Sequence, residues 1–141
     1  MSATEVFFDS NVLIYLFSSD VAKADRAELL LTAGGTVSVQ VLNEVASVAR
    51  RKAKLDFPAL RDILGVIRAT CLVRPLDPET HELGLDIAER HRFSVYDGMI
   101  VGAALRAGCS VLYSEDLQHG QTIESRLVVR NPFRDTAPTA P

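Results

Sequence analysis

The stretch EVFFDSNVLIYLF, residues 5–17, decides the fold. Its opening EVFF is β-rich and stops at Asp9, after which Ser10 or Asn11 can cap a helix running to Phe17. A strand that passes at once into a helix begins a strand–helix–strand unit, and the pattern repeats downstream. Residues 20–32 place Val21, Ala24, Ala27, Leu30 and Leu31 at helical spacing between an Asp20 N-cap and the stops Gly34 and Gly35, and residues 36–39 then read as a strand. A helix is predicted over 40–52, with Val41, Val45 and Val48 on one face and Glu44 in its early turns. Asp56 and Pro58 open a helix to 68, residues 71–76 follow as strand, and Asp77 and Pro78 open another helix to 90. A helix over 96–107 ends at Gly108, residues 110–113 read as strand, and a last β-rich run, 126–130, precedes NPF.

Strands alternating with helices predict an α/β fold: a central parallel β-sheet of about five short strands flanked by helices and joined by right-handed crossovers. At 141 residues the chain suits one domain, expected over residues 1–133, with the polar, proline-rich tail RDTAPTAP, residues 134–141, left frayed. A composition 48% hydrophobic and 23% charged excludes a disordered or fibrous chain. No apolar run reaches the ~18 residues of a membrane span, and the N-terminus lacks the basic flank and cleavage site of a signal peptide, so a cytoplasmic protein is expected. Cys71 and Cys109 sit in or beside apolar segments and read as buried free thiols. A net charge of −3 gives no global attraction to nucleic acid, so a polyanion must be met locally. The basic cluster Arg50, Arg51, Lys52 and Lys54 reads first as cations favoured at a helix C-terminus.

In parallel sheets function gathers at the carboxyl ends of the strands. Asp9 ends the first strand, Asp116 lies just past the strand that ends at Tyr113, and Glu44 and Asp97 stand in early helical turns that face the same edge. Together the four carboxylates repel one another, which a hard divalent cation relieves; oxygen-only ligands select Mg²⁺ or Mn²⁺. Singly, each acid has an ordinary structural role: a helix cap, a solvated helix residue, a first-turn acid, a turn former. The pattern alone leaves both readings open.

FFDSNVLIYLF, VSVQVLNEVA, FSVYDGMIVGAALRAG and VLYSEDLQHGQTI, followed by LVVRNPF, stand in the order and spacing of PIN-domain proteins. Over residues 5–133 the chain resembles the VapC-type ribonuclease toxins of bacterial type II toxin–antitoxin pairs. The resemblance puts the family's acidic quartet on Asp9, Glu44, Asp97 and Asp116, a small polar position on Ser114 and a polar partner on Asn11. It implies a Mg²⁺- or Mn²⁺-dependent ribonuclease with an RNA substrate, a cognate antitoxin covering the acidic cleft, and a homodimer whose face falls among the helices between Val21 and Arg68. In the mechanism it implies, Asp9, Asp97 and Asp116 hold metal, Glu44 completes the shell or orients the attacking water, and Ser114 and Asn11 fix carboxylate rotamers.

Two details bear on this reading. Glu115 adjoins Asp116 and either acid can face the metal, though the family pattern favours Asp116; and Gly98 stands where many relatives carry alanine, which is expected to loosen the helix turn that aims Asp97. A metal-free ribonuclease wants paired histidines, but His81 and His91 read as exposed helix residues and His119 as bonded within its own loop. Tyr15 and Tyr96 are expected to pack rather than stack a base. The alternatives are a catalytically silent PIN domain that binds a partner, a receiver-like phosphotransfer module, and a haloacid-dehalogenase-like phosphatase. The receiver wants a lysine after a late strand, yet none follows Lys54; the phosphatase wants an aspartate where Asn11 stands.

Overall fold

The computed structural model describes residues 5–134; residues 1–4, and the predicted frayed tail from residue 135 on, lie outside the described residues. Elements alternate along the chain as β1 (Val6–Phe8), α1 (Ser10–Leu13), a 3-10 turn (Ile14–Phe17), α2 (Val21–Ala33), β2 (Gly35–Ser38), α3 (Val39–Arg51), α4 (Phe57–Thr70), β3 (Cys71–Arg74), α5 (Pro78–His91), α6 (Val95–Arg106), β4 (Val111–Tyr113), β5 (Thr122–Ile123) and β6 (Leu127–Arg130). The aspartate caps fall where the sequence places them: Asp20, Asp56 and Asp77 accept from the N–H groups of Lys23, Ala59 and Thr80 at 3.2, 2.9 and 2.8 Å.

Three starts differ from expectation. The first helix is capped by Asp9 itself, whose side chain accepts from the Ser10 N–H, and not by Ser10 or Asn11. Helices α3 and α6 each begin one residue earlier than predicted, at Val39 and Val95, because Ser38 and Ser94 cap them. Both are β-branched valines whose strand preference masks a helical first position.

The strands form one six-stranded sheet in the order β3-β2-β1-β4-β6-β5. The pairings β1–β2, β1–β4, β2–β3 and β4–β6 are parallel, as expected; β5 is an addition, antiparallel to β6 and too short for any period to show. Phe7, Phe8, Val37 and Leu112 on the strands, with Val41, Val45, Ile67, Ile87 and Ile100 on the helices, are buried, and each such side chain contributes about 1.5–3 kcal/mol. Cys71 and Cys109 are buried free thiols. At the edge opposite β5, β3 has a partner on one side alone among the described residues, and Leu72 and Val73 on it stay 53% and 36% exposed. No helix among the described residues is long and apolar enough to cross a membrane.

Helices α5 and α6 touch through glycines. A Cβ on Gly98 would run into the backbone oxygen of Gly84 and sit 2.8 Å from the Ala88 Cβ. Gly98 therefore has a packing role that its low helix propensity does not reveal. It allows α6 to lie against α5, and that contact fixes where Asp97 begins.

The strand order reverses between β1 and β4: from β1 the chain builds outward through β2 and β3, then returns to β1's other side. A crevice opens at such a reversal, outside the carboxyl ends of the strands. Phe8 pairs with Tyr113 there, and the Asp9 N–H donates to the Tyr113 carbonyl at 2.9 Å, so Asp9 and Ser114 leave the sheet side by side.

Candidate active site

Asp9 is held on both oxygens. Oδ1 accepts from the Ser10 N–H at 2.7 Å, while Oδ2 accepts from Ser114 Oγ at 2.9 Å and Asn11 Nδ2 at 3.2 Å. The residue is 4% exposed, and burial pushes its carboxyl up to about 7 from 3.8; the Ser114 and Ser10 bonds pull it down, and the charges of Glu44 and Asp97 push it further up.

The other acids are tied to Asp9 and to one another by charge. Burial raises the Glu44 carboxyl above its ordinary range, the Ser10 and Gln40 side chains oppose that, and the charges of Asp97 and Asp116 add to it. Its Oε1 is buried and has no hydrogen-bond partner among the described residues. Burial likewise raises Asp97, opposed by Ser94, with Asp116 adding repulsion. All four predicted acids thus share one electrostatic environment, although no three Asp, Glu, His or Cys side chains among the described residues are already gathered into a metal-binding set.

Ser114 and Asn11 connect the strand ends. Ser114 Oγ donates to Asp9 and accepts the N–H groups of Asp116 and Leu117 at 3.2 and 3.3 Å, while Asn11 Oδ1 accepts the Glu115 N–H at 3.0 Å. Glu115 is engaged elsewhere: its Oε1 accepts from Tyr15 at 2.6 Å and its Oε2 from Lys23 at 3.0 Å. Of the neighbouring pair, Asp116 is the acid whose charge reaches Glu44 and Asp97. Lys23 is the residue the sequence reading missed; its position in α2 carries no local sign of a partner beyond β4.

The remaining candidates find ordinary places. His119 Nδ1 accepts the Asn131 N–H at 2.9 Å, so its partner stands just past β6 and not within its own loop as expected. His81 is exposed, whereas His91 is half-buried, 2.9 Å from Glu124 and stacked on Phe93. Arg50 lies 4.2 Å over the Phe57 ring and donates to the Leu55 carbonyl; Arg51, Lys52 and Lys54 are exposed. Tyr15 packs edge-on against Phe133, but Tyr96 overturns the expectation of packing: it is 69% exposed, one residue before Asp97, with its carbonyl held by Gln40 Nε2. Its place in the first turn of α6 faces it outward beside the half-exposed Val95, while residues 98–105 of that helix are buried.

A mostly parallel α/β domain with mutually repelling carboxylates near its strand-order reversal is an architecture suited to phosphate chemistry. Residues 6–122 match the PIN domain family, and the chain belongs to it. Its fold is similar to that of Mycobacterium tuberculosis VapC20, a sarcin–ricin loop cleaving toxin, at 18% identity and a TM-score of 0.65, over 79% of this chain and 90% of that one. A toxin–antitoxin complex from Klebsiella pneumoniae matches at 20% identity and a TM-score of 0.68, over 91% of this chain and 98% of that one. VapBC2 from Rickettsia felis, bound to a DNA fragment from its promoter, matches at 15% identity and a TM-score of 0.57, over 79% and 87%. At these identities the likeness is one of fold. No curated protein matches the sequence.

Proposed function

We propose that this chain is a metal-dependent endoribonuclease, the toxin of a type II toxin–antitoxin pair, acting on RNA in the cytoplasm. The observation that carries the reading is a buried Glu44 oxygen with no hydrogen-bond partner among the described residues, in a group of acids, Asp9, Glu44, Asp97 and Asp116, whose charges repel one another. An all-oxygen donor set of this kind suits Mg²⁺ or Mn²⁺. Mg²⁺ is commonly held by one or two carboxylates with waters and substrate oxygens, so a closed three-ligand set is not required in advance.

Asp9, Asp97 and Asp116 would hold the ion, and Ser114 and Asn11 lock the Asp9 carboxylate in one rotamer. Bound there, the ion supplies Lewis-acid neutralisation of the phosphoryl oxygens and acidifies water. Glu44 accepts a hydrogen bond from the attacking water and orients it in line with the scissile bond, leaving 5′-phosphate and 3′-hydroxyl ends. Tyr96 presents an exposed ring at the start of α6, where an unpaired base can stack. A cognate antitoxin would cover the acidic crevice with a basic side chain such as arginine. A homodimer is supported by Val21 and Leu29 of α2 and Phe57 and Val66 of α4, all more than half exposed within the region where self-association is expected.

The test is RNA cleavage by purified, antitoxin-free protein in Mg²⁺ or Mn²⁺ and again in chelator, comparing wild type with Asp9→Asn and Asp97→Asn. Each substitution should lower the rate by roughly two orders of magnitude or more. Cleavage that survives either substitution or the chelator removes the mechanism.

A further inference from the structure

We propose that Tyr15, Lys23 and Glu115 form a clamp that positions Asp116 toward the metal, acting through the loop and not on substrate. The inference rests on the reading of Asp116 as a metal ligand. Glu115 is fixed at both ends: its N–H donates to Asn11 Oδ1 at 3.0 Å, and its carboxylate takes the Tyr15 hydroxyl at 2.6 Å and the Lys23 ammonium at 3.0 Å. Lys23 also donates to the Tyr15 hydroxyl at 3.1 Å, which closes a three-membered ring of bonds. The ring is set in a frame of aromatic contacts: Tyr15 meets Phe133 edge-on at 4.7 Å, and the ammonium lies 4.7 Å and 5.5 Å from the two ring centres.

These bonds join the 3-10 turn and α2 to a loop that follows β4, segments about a hundred residues apart. A solvated ion pair at this depth contributes little to stability, since both side chains keep roughly 30% of their surface exposed. What it does control is direction. With Glu115 pinned toward Lys23 and the Asp116 N–H on Ser114 Oγ, the same hydroxyl that bonds Asp9 Oδ2, the Asp116 backbone is held beside Asp9. The clamp also takes one acid out of the crevice and pairs it with a cation.

The experiment measures Mn²⁺ binding by electron paramagnetic resonance on the full chain, with melting temperature in chelator recorded beside it. Tyr15→Phe, which keeps the ring and loses the hydroxyl, and Lys23→Met should each weaken Mn²⁺ binding by roughly tenfold while the metal-free melting temperature stays near wild type. Glu115→Gln, which keeps an acceptor for Tyr15, should recover much of the affinity that Glu115→Ala loses. If Asp116→Asn loses Mn²⁺ while Tyr15→Phe and Lys23→Met bind it normally, the metal reading stands and the clamp is overturned. If Asp116→Asn itself binds Mn²⁺ like wild type, the metal role of Asp116 falls and the clamp with it. Affinity losses that merely follow losses in melting temperature assign the cluster to stability and also overturn the proposal.

Discussion

Gly98→Ala restores the residue that the family resemblance associates with this position, and it should harm this chain. Helix propensity alone favours the change by up to about 1 kcal/mol. Against that, the new methyl would collide with the Gly84 backbone oxygen and stand 2.8 Å from the Ala88 Cβ, so one helix must move away from the other. Overpacking of this kind costs about 1–3 kcal/mol, and because the obstacle is backbone the upper part of that range applies. The net loss should be about 1–2 kcal/mol, with Asp97 displaced and cleavage reduced alongside. Two further glycines calibrate the result. At Gly84 the nearest atom is the movable Met99 Sδ at 2.5 Å, so Gly84→Ala should be milder; at Gly65 nothing lies within 4 Å, and Gly65→Ala should stabilise α4 by about 0.5–1 kcal/mol. Urea unfolding at constant m-value reads all three. A Gly98→Ala protein at least as stable as wild type would refute the close approach of α5 and α6.

The metal-free protein should lose stability as pH rises from about 4 to 7. Asp9 titrates near 7 when folded and near 3.8 when unfolded, so the folded state holds a proton the unfolded chain has released, a penalty on the order of 4 kcal/mol once the group ionises. Urea melts in chelator at pH 5 and pH 8 check this, and added Mg²⁺ should recover stability at pH 8; a chelated protein more stable at pH 8 contradicts the burial-driven shift. His119→Ala should cost about 1 kcal/mol through the lost Asn131 contact and leave the cleavage rate unchanged, whereas a collapse of activity in a folded variant would revive a histidine mechanism. Tyr96→Leu should weaken binding of single-stranded RNA, measured in chelator, by about 1–3 kcal/mol, while Tyr96→Phe should not; equal binding by all three proteins removes the stacking role.

Much of the architecture is written locally. Asp20, Asp56 and Asp77 announce their helices because a short carboxylate competes for the N–H three residues on, and the observed bonds are those same ones. Gly108 at φ +74° ends its helix as its freedom in that region predicts. Other features depend on distant partners. Strand β5 exists because Thr122 and Ile123 meet Val128 and Leu127 across a turn, and two residues show no alternation. The four acids were legible as positions near strand ends and in early helical turns, and the family pattern favoured Asp116 over Glu115; the ion pair that engages Glu115 was not legible, since Lys23 stands 92 residues away. The packing role of Gly98 was hidden for a similar reason: its neighbour in space is Gly84, on another helix.

The sheet ends differently on its two sides. Beyond β6 the sheet ends in the two-residue antiparallel β5, whereas at the opposite edge β3 pairs with β2 alone among the described residues, beside the half-exposed Leu72. An open edge of this sort is a template on which a neighbouring chain can add a strand and begin to aggregate. Here the template is cut short: β3 runs for four residues, and Pro75, which has no N–H to offer, follows Arg74 at once. Lengthening that strand by replacing Pro75 should expose a longer ladder and raise the tendency of the chain to aggregate.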